Sequence, residues 1–161
     1  INNIIDIDQI CTMISNIDIP VILHIVGEGE KQDEFINKSK QICEVIYHGV
    51  VRDEERKTEI FKKCHAGINV YKDGLYIGLT VKCIDYFGNG LPIINNIKGD
   101  TYNFVRNNNV GINLDDSLKI DTNKLIEMRN NNQNIFDLYE NNFTKEAFQN
   151  KCLEIIDEVL K

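Results

Sequence analysis

Four shortages in this chain each remove a class of function. Basic charge is in deficit: 18 Lys and Arg stand against 25 Asp and Glu in 161 residues, a formal net charge of −7. Nothing in that balance draws the protein to nucleic acid. The five cysteines, Cys11, Cys43, Cys64, Cys83 and Cys152, are odd in number, scattered, and never spaced as CxxC or set near paired histidines. They read as reduced, mostly buried thiols, which excludes a disulfide framework and points to the cytosol. Long apolar runs are absent too, so no segment spans a bilayer, and no charged, apolar, small-residue succession marks a secretion signal. A soluble, cytoplasmic protein is expected. Metal-ligand spacing is also lacking at Asp115-Asp116 and among the carboxylates that follow Gly27, so no metal is expected.

What is present fits one domain with a proper core. Isoleucine is plentiful, and Asn is frequent in turns such as Asn107-Asn108-Asn109 and Asn130-Asn131-Asn132. Codon bias towards A and T would account for both without any function. The chain opens at Ile1 rather than Met, with helix-like periodicity almost at once, and so reads as a piece of a longer polypeptide.

Apolar runs alternate with helical patterns along the chain. Ile5, Ile10 and Ile14 mark a first amphipathic helix within residues 4–15, and Pro20 opens the strand VILHIV, which stops at Gly27. Helices are expected over 30–40 and 53–63, and strands over 44–47 and 67–71. A glycine-containing loop from Lys72 to Gly78 precedes a helix over 81–87, which Gly88-Asn89-Gly90 ends, and Pro92 leads into the strand 93–95. Asp100 or Thr101 caps the next helix, which runs to Arg106, and Val110-Gly111-Ile112 forms a last strand. Strands and helices in this order predict an α/β fold whose single parallel sheet is covered on both faces. The tail from Asp121 reads as helices broken near Asn130–Asn134 and Asn141-Asn142. In its last segment Phe148, Cys152, Ile155, Ile156 and Val159 recur at helical spacing.

In an open parallel sheet, ligands bind beyond the carboxyl ends of the strands, so the loops at Gly27, His48, Tyr71 and Asn95 are expected to face one crevice. Gly27-Glu28-Gly29 allows close backbone approach, but Gln32 stands where a dinucleotide fingerprint needs its third glycine. That loop is as well explained as a tight strand-to-helix turn. His24 within its apolar strand reads as a satisfied core histidine, whereas His48 closes a strand at the crevice. Lys82 and Asp85 lie one turn apart on a helix that Thr80 can cap. They are either a phosphate cation beside an acceptor for vicinal hydroxyls, or an ion pair on a core-packed helix. The loop from Asn95 to Thr101 supplies a second helix N-terminus, with Gly99 free to turn its amides towards an anion. Such loops are also ordinary helix entries.

The blocks LHIVGEGE, YHGVV, CHAGINVY, KCIDYFGNGLPIINN and VGINLD follow one another over most of the chain. In this order they resemble the C-terminal, donor-binding domain of GT-B glycosyltransferases, particularly the retaining enzymes that build bacterial surface polysaccharides. The resemblance implies a Rossmann-like half of the GT-B fold, with 1–161 a nucleotide-sugar donor-binding domain that lacks its first strand. It also implies an N-terminal acceptor domain outside this chain, which holds the catalytic histidine, so no catalytic residue is expected here. By the same resemblance, 144–161 packs towards that other domain.

Carried onto this sequence, the family's pattern makes Asp85 the acceptor for the nucleotide's ribose and Lys82 a diphosphate cation. Gly27 and Gly29 match its glycine turn, and His48, Gly49 and Val50 its base-cradling loop. Ile77 stands where the family usually has a first acidic residue, and the donor-sugar contact falls instead to Asp73 or Tyr76. Gly78, Leu79 and Thr80, with Gly99, Asp100 and Thr101, complete the implied donor site. The stretch from Gly78 to Asn113 looks most like galactofuranosyltransferase-like proteins. That implies UDP-galactofuranose as donor, a glycan or lipid-linked acceptor, no metal or other cofactor, and peripheral attachment to the inner face of the plasma membrane. The fragment alone is expected to bind donor weakly and to be inactive. Two other readings stay open: a sugar-nucleotide epimerase-type domain, which needs further acid and base residues, and a non-catalytic α/β binding or regulatory module.

Overall fold

The computed structural model describes residues 1–75 and 77–159. Tyr76, Leu160 and Lys161 lie outside the described residues, and with them the Tyr76 candidate and the last two residues of the expected 144–161 segment. Helix α1 (Ile7–Ser15) is capped by Asp6, whose carboxylate accepts from the Gln9 amide at 2.9 Å, and buries Ile7, Ile10, Met13 and Ile14 at three- and four-residue spacing. Strand β1 (Ile22–Ile25) turns Leu23 and Ile25 inward and is followed by α2 (Gln32–Ser39) and β2 (Glu44–Tyr47). After α3 (Glu54–Lys62) come β3 (Gly67–Asn69), α4 (Val81–Gly88), β4 (Ile93–Asn95), α5 (Asp100–Asn108) and β5 (Gly111–Asn113). Three helices close the chain: α6 (Thr122–Asn130), α7 (Gln133–Phe143) and α8 (Lys145–Val159).

All described strand pairs are parallel, which crossover helices between them make possible. The expected α/β alternation is present. The single sheet is not: β1 pairs with β2 in one sheet, and β3, β4 and β5 pair in that order in another. Each of β1 and β3 has one strand neighbour, so the two sheets stop at these edges instead of joining.

Two apolar clusters hold the elements. One joins α1, Leu23, Ile25 and Phe35 to Val70, Ile94, Leu114 and Leu125, and so ties the two sheets together. The other sets Cys83 and Phe87 of α4 against Ile93, Val105, Val110 and Ile135. Phe87 is fully buried, with the Phe104 and Phe143 rings 5.9 and 6.3 Å away. Burial of one such side chain is worth about 1.5–3 kcal/mol. Arg129 of α6 donates to Asn89 O and Gly90 O at 2.8 and 2.9 Å, closing the exposed carbonyl end of α4.

The tail differs from expectation at Asn141-Asn142. Helix α7 continues through Asn141-Asn142 to Phe143 because the break is made by Thr144, whose extended backbone and hydroxyl, accepting from Ala147 N at 3.1 Å, start α8. In α8 only Ala147 is buried, while Phe148, Leu153, Ile155, Ile156 and Val159 are 51–79 % exposed. No described helix is long and apolar enough to cross a membrane.

Candidate functional site

Three asparagines stand at one register at the carboxyl ends of the second sheet: Asn69, Asn95 and Asn113. Asn69 Nδ2 donates to Asn95 Oδ1 at 2.8 Å, Asn95 Nδ2 to Asn113 Oδ1 at 2.8 Å, and Asn113 Nδ2 to the Tyr102 carbonyl at 3.0 Å. Asn95 also bonds both ways with the backbone of Ile97, at 2.9 and 3.2 Å. The row fixes the loops above it, because Thr80 donates its hydroxyl to Asn69 Oδ1 at 3.0 Å and accepts from Cys83 N at 3.3 Å as the cap of α4. Asn69 and Asn95 are fully buried and satisfied, as buried amides must be. Frequency and turn chemistry did not single these residues out. The available signal was the tripeptide Gly-Ile-Asn, which occurs at both 67–69 and 111–113.

The sequence candidates divide between two cavities. A crevice of about 550 Å³ opens between the loop after β3 and the entry to α5, and Asp73, Gly78, Gly99 and Asp100 line it with Lys72 and Lys98. The cap of α5 is Gly99, at φ 76° and ψ −131°, not Asp100 or Thr101, which are helical residues. That backbone lies where L side chains are strained, so glycine takes the position. Thr101 is buried, and its hydroxyl has no hydrogen-bond partner among the described residues. Leu79 packs against the second apolar cluster instead of the crevice.

Lys82 and Asp85 face a second cavity, of about 710 Å³, with Lys57 and His24. They do not pair with each other. Asp85 meets Lys57 Nζ at 3.5 Å, and Glu54 and then Asp85 hold that ammonium above its usual range against the effect of burial. Lys82 Nζ instead sits 4.5 Å from the centroid of the Tyr71 ring, a cation–π contact. Burial pushes the Lys82 ammonium below its usual range, and no carboxylate lies within ion-pair distance of it among the described residues.

The loops after β1 and β2 meet through Gly27 N, which donates to Gly49 O at 2.7 Å, with both glycines at positive φ. Gly29 packs against the Ile1 backbone so closely that a Cβ would collide with it. Val50 is 45 % exposed and lines neither cavity. His48 Nε2 lies 2.9 Å from His24 Nδ1, with the rings stacked at 5.2 Å. His24 is therefore half-buried and bonded to another candidate. Burial lowers both imidazoles, followed by Lys63 for His24 and by His24 itself for His48.

Among the described residues no three His, Cys, Asp or Glu side chains gather as a metal site. The larger cavity offers an anion the Lys82 ammonium and offers hydroxyls the Asp85 carboxylate, and the smaller crevice offers an anion the N-terminus of α5. Comparison with protein-family models, with curated proteins and with solved structures finds no match to this chain.

Proposed function

We propose that this chain binds the nucleotide-sugar donor of a two-domain glycosyltransferase of the GT-B type. The observation that carries the reading is Lys82: a half-buried cation without a carboxylate partner among the described residues, on the first turn of the helix that follows β3. Desolvation disfavours a lone buried ammonium, and a diphosphate beside it restores the lost charge stabilisation. Asp85, one turn on, accepts from ribose hydroxyls after exchange with Lys57. The crevice beneath α5, with Lys98, Gly99 and Asp73, takes the sugar side of a UDP-sugar such as UDP-galactofuranose.

As the glycosidic bond breaks, negative charge grows on the leaving UDP, and Lys82 stabilises it. The acceptor, a glycan or a lipid-linked saccharide, and the residue that completes the transfer belong to the second domain. The bare apolar face of α8 is the surface that domain covers.

Calorimetric titration of UDP into the full-length protein and into Lys82→Ala and Asp85→Asn tests this assignment. A charge-assisted hydrogen bond contributes about 1.5–3 kcal/mol, so each variant is expected to bind roughly tenfold to a hundredfold more weakly. Unchanged affinity in both variants removes these residues from the site. A full-length protein that binds no nucleotide overturns the function.

A further inference from the structure

Two carboxylates hold Lys57 of α3, and they hold it unequally. Its Nζ donates to Glu54 Oε1 at 3.0 Å and lies 2.8 Å from Oε2, but it reaches Asp85 Oδ2 only at 3.5 Å. An ammonium has three donors, and these contacts take them all. The Glu54 side chain is 78 % exposed, and an ion pair so open to water holds weakly. The Lys57 side chain is 19 % exposed and borders the 710 Å³ cavity with Asp85 and Lys82. Its shorter contact therefore lies in solvent and its longer one in the site.

That cavity inverts the charge of the chain. The protein carries −7 overall, yet with histidine neutral the charged side chains that line this space, among the described residues, are Lys57, Lys63, Lys82 and Asp85. Ammoniums in excess of carboxylate suit an occupant with more than one negative charge. Lys57 also stands where a ribose would bond. A hydroxyl that takes Asp85 Oδ2 displaces the ammonium, and an ammonium that loses an acceptor in a half-buried wall needs another. A phosphate oxygen supplies one at about 2.7–2.9 Å, a shorter charge-assisted contact than the 3.5 Å it replaces.

We propose that Lys57 is an exchange cation that makes the site selective for nucleoside diphosphates over nucleosides: it yields Asp85 to the ribose and turns to the diphosphate as a second cation beside Lys82. The inference rests on the nucleotide-sugar reading above. A nucleoside without phosphate must displace the ammonium from Asp85 and offers it no acceptor in return. A nucleoside diphosphate displaces it and supplies one. Removal of the ammonium therefore acts with opposite sign on the two ligands, because the nucleoside loses a competitor and the diphosphate loses a cation. A lysine that only joined α3 to α4 would affect both ligands alike.

Calorimetric titration of UDP and of uridine into the full-length protein and into Lys57→Met tests it, since methionine keeps an unbranched apolar stem in the wall. Lys57→Met is expected to bind UDP at least about tenfold more weakly, and uridine as well as the parent does or more tightly. Lys62→Met, which removes a lysine paired with Glu59 on the exposed side of α3, is expected to change neither and so separates the contact from total charge. Reductive methylation of the unaltered protein reads the same contact without a variant: bound UDP is expected to protect the Lys57 amine, and bound uridine is expected not to. Unchanged UDP affinity in Lys57→Met, parallel weakening of both ligands, or equal protection by both overturns the proposal and leaves the nucleotide reading standing. A parent protein that binds no UDP overturns both.

Discussion

Removal of Asn95 should unfasten the sheet that positions the crevice. Its amide makes four hydrogen bonds, at 2.8, 2.8, 2.9 and 3.2 Å, and the residue is fully buried. Asn95→Ala leaves Asn69 Nδ2 and the backbone N–H and C=O of Ile97 without those partners in a region closed to water. Each buried group left unmatched costs about 1–3 kcal/mol, and groups that share one partner are not additive, so the expected loss is about 3–5 kcal/mol. That is a large part of the roughly 5–15 kcal/mol typical of a whole domain. Urea unfolding followed by circular dichroism reads it directly: with a slope of about 2 kcal/mol/M, the midpoint falls by roughly 2 M. Exposed Asn131 makes no side-chain hydrogen bond among the described residues, and Asn131→Ala is expected to stay within about 0.5 kcal/mol of the parent. A loss at Asn95 below about 1 kcal/mol, or a double-mutant cycle with Asn69→Ala that shows no coupling, refutes the ladder as a stabilising unit.

Three further outcomes follow from the same geometry. The folded pKa values of His24 and His48 lie below the ordinary imidazole value, so their contribution to stability is complete above about pH 6.5 and is lost as pH falls through the lowered values. Tm measured from about pH 7.5 down to 5 should decline, and His48→Gln should flatten that decline. A Cβ at Gly111 would strike the Ile93 backbone, whereas one at Gly67 meets the ring of Tyr86, a side chain that borders the larger cavity. Gly111→Ala is therefore expected to cost more than the roughly 1–3 kcal/mol of ordinary overpacking at Gly67→Ala, by urea midpoint. Phe148→Glu with Ile156→Glu on α8 should leave the stability of this chain within about 0.5 kcal/mol and reduce binding of a hydrophobic dye. A stability loss well above that value would show that α8 packs within the chain.

Local punctuation made several elements legible. Gly90 and Pro92 frame β4, whose limits the sequence gives correctly, and Thr80 is recognisable as a cap because a hydroxyl there stands one turn before the Cys83 amide it satisfies. The separation into two sheets was not legible, because a strand's second neighbour depends on contacts between distant segments that alternation does not encode. The Asn ladder hid for a related reason. Each asparagine looks like a turn residue by itself, and only the shared register reveals one row. At Lys82 and Asp85, sequence spacing put both on one helical face, but their partners come from outside that helix.

Those outside partners link the polar ladder to the proposed anion site. Lys82 rests on the Tyr71 ring, and the Tyr71 backbone is clamped by Asn96, whose Oδ1 accepts from Tyr71 N at 2.9 Å and whose Nδ2 donates to Tyr71 O at 2.6 Å. Asn96 is the next residue after the ladder's central rung. From the other side, Thr80 ties the start of α4 to Asn69, two residues before Tyr71. The helix that carries Lys82 and the ring beneath it are thus anchored to the same buried row by separate hydrogen bonds. An ammonium held this way loses little freedom when an anion arrives, which favours binding by preorganisation. The asparagines that composition alone assigns to turns are therefore the parts that fix where the Lys82 ammonium stands.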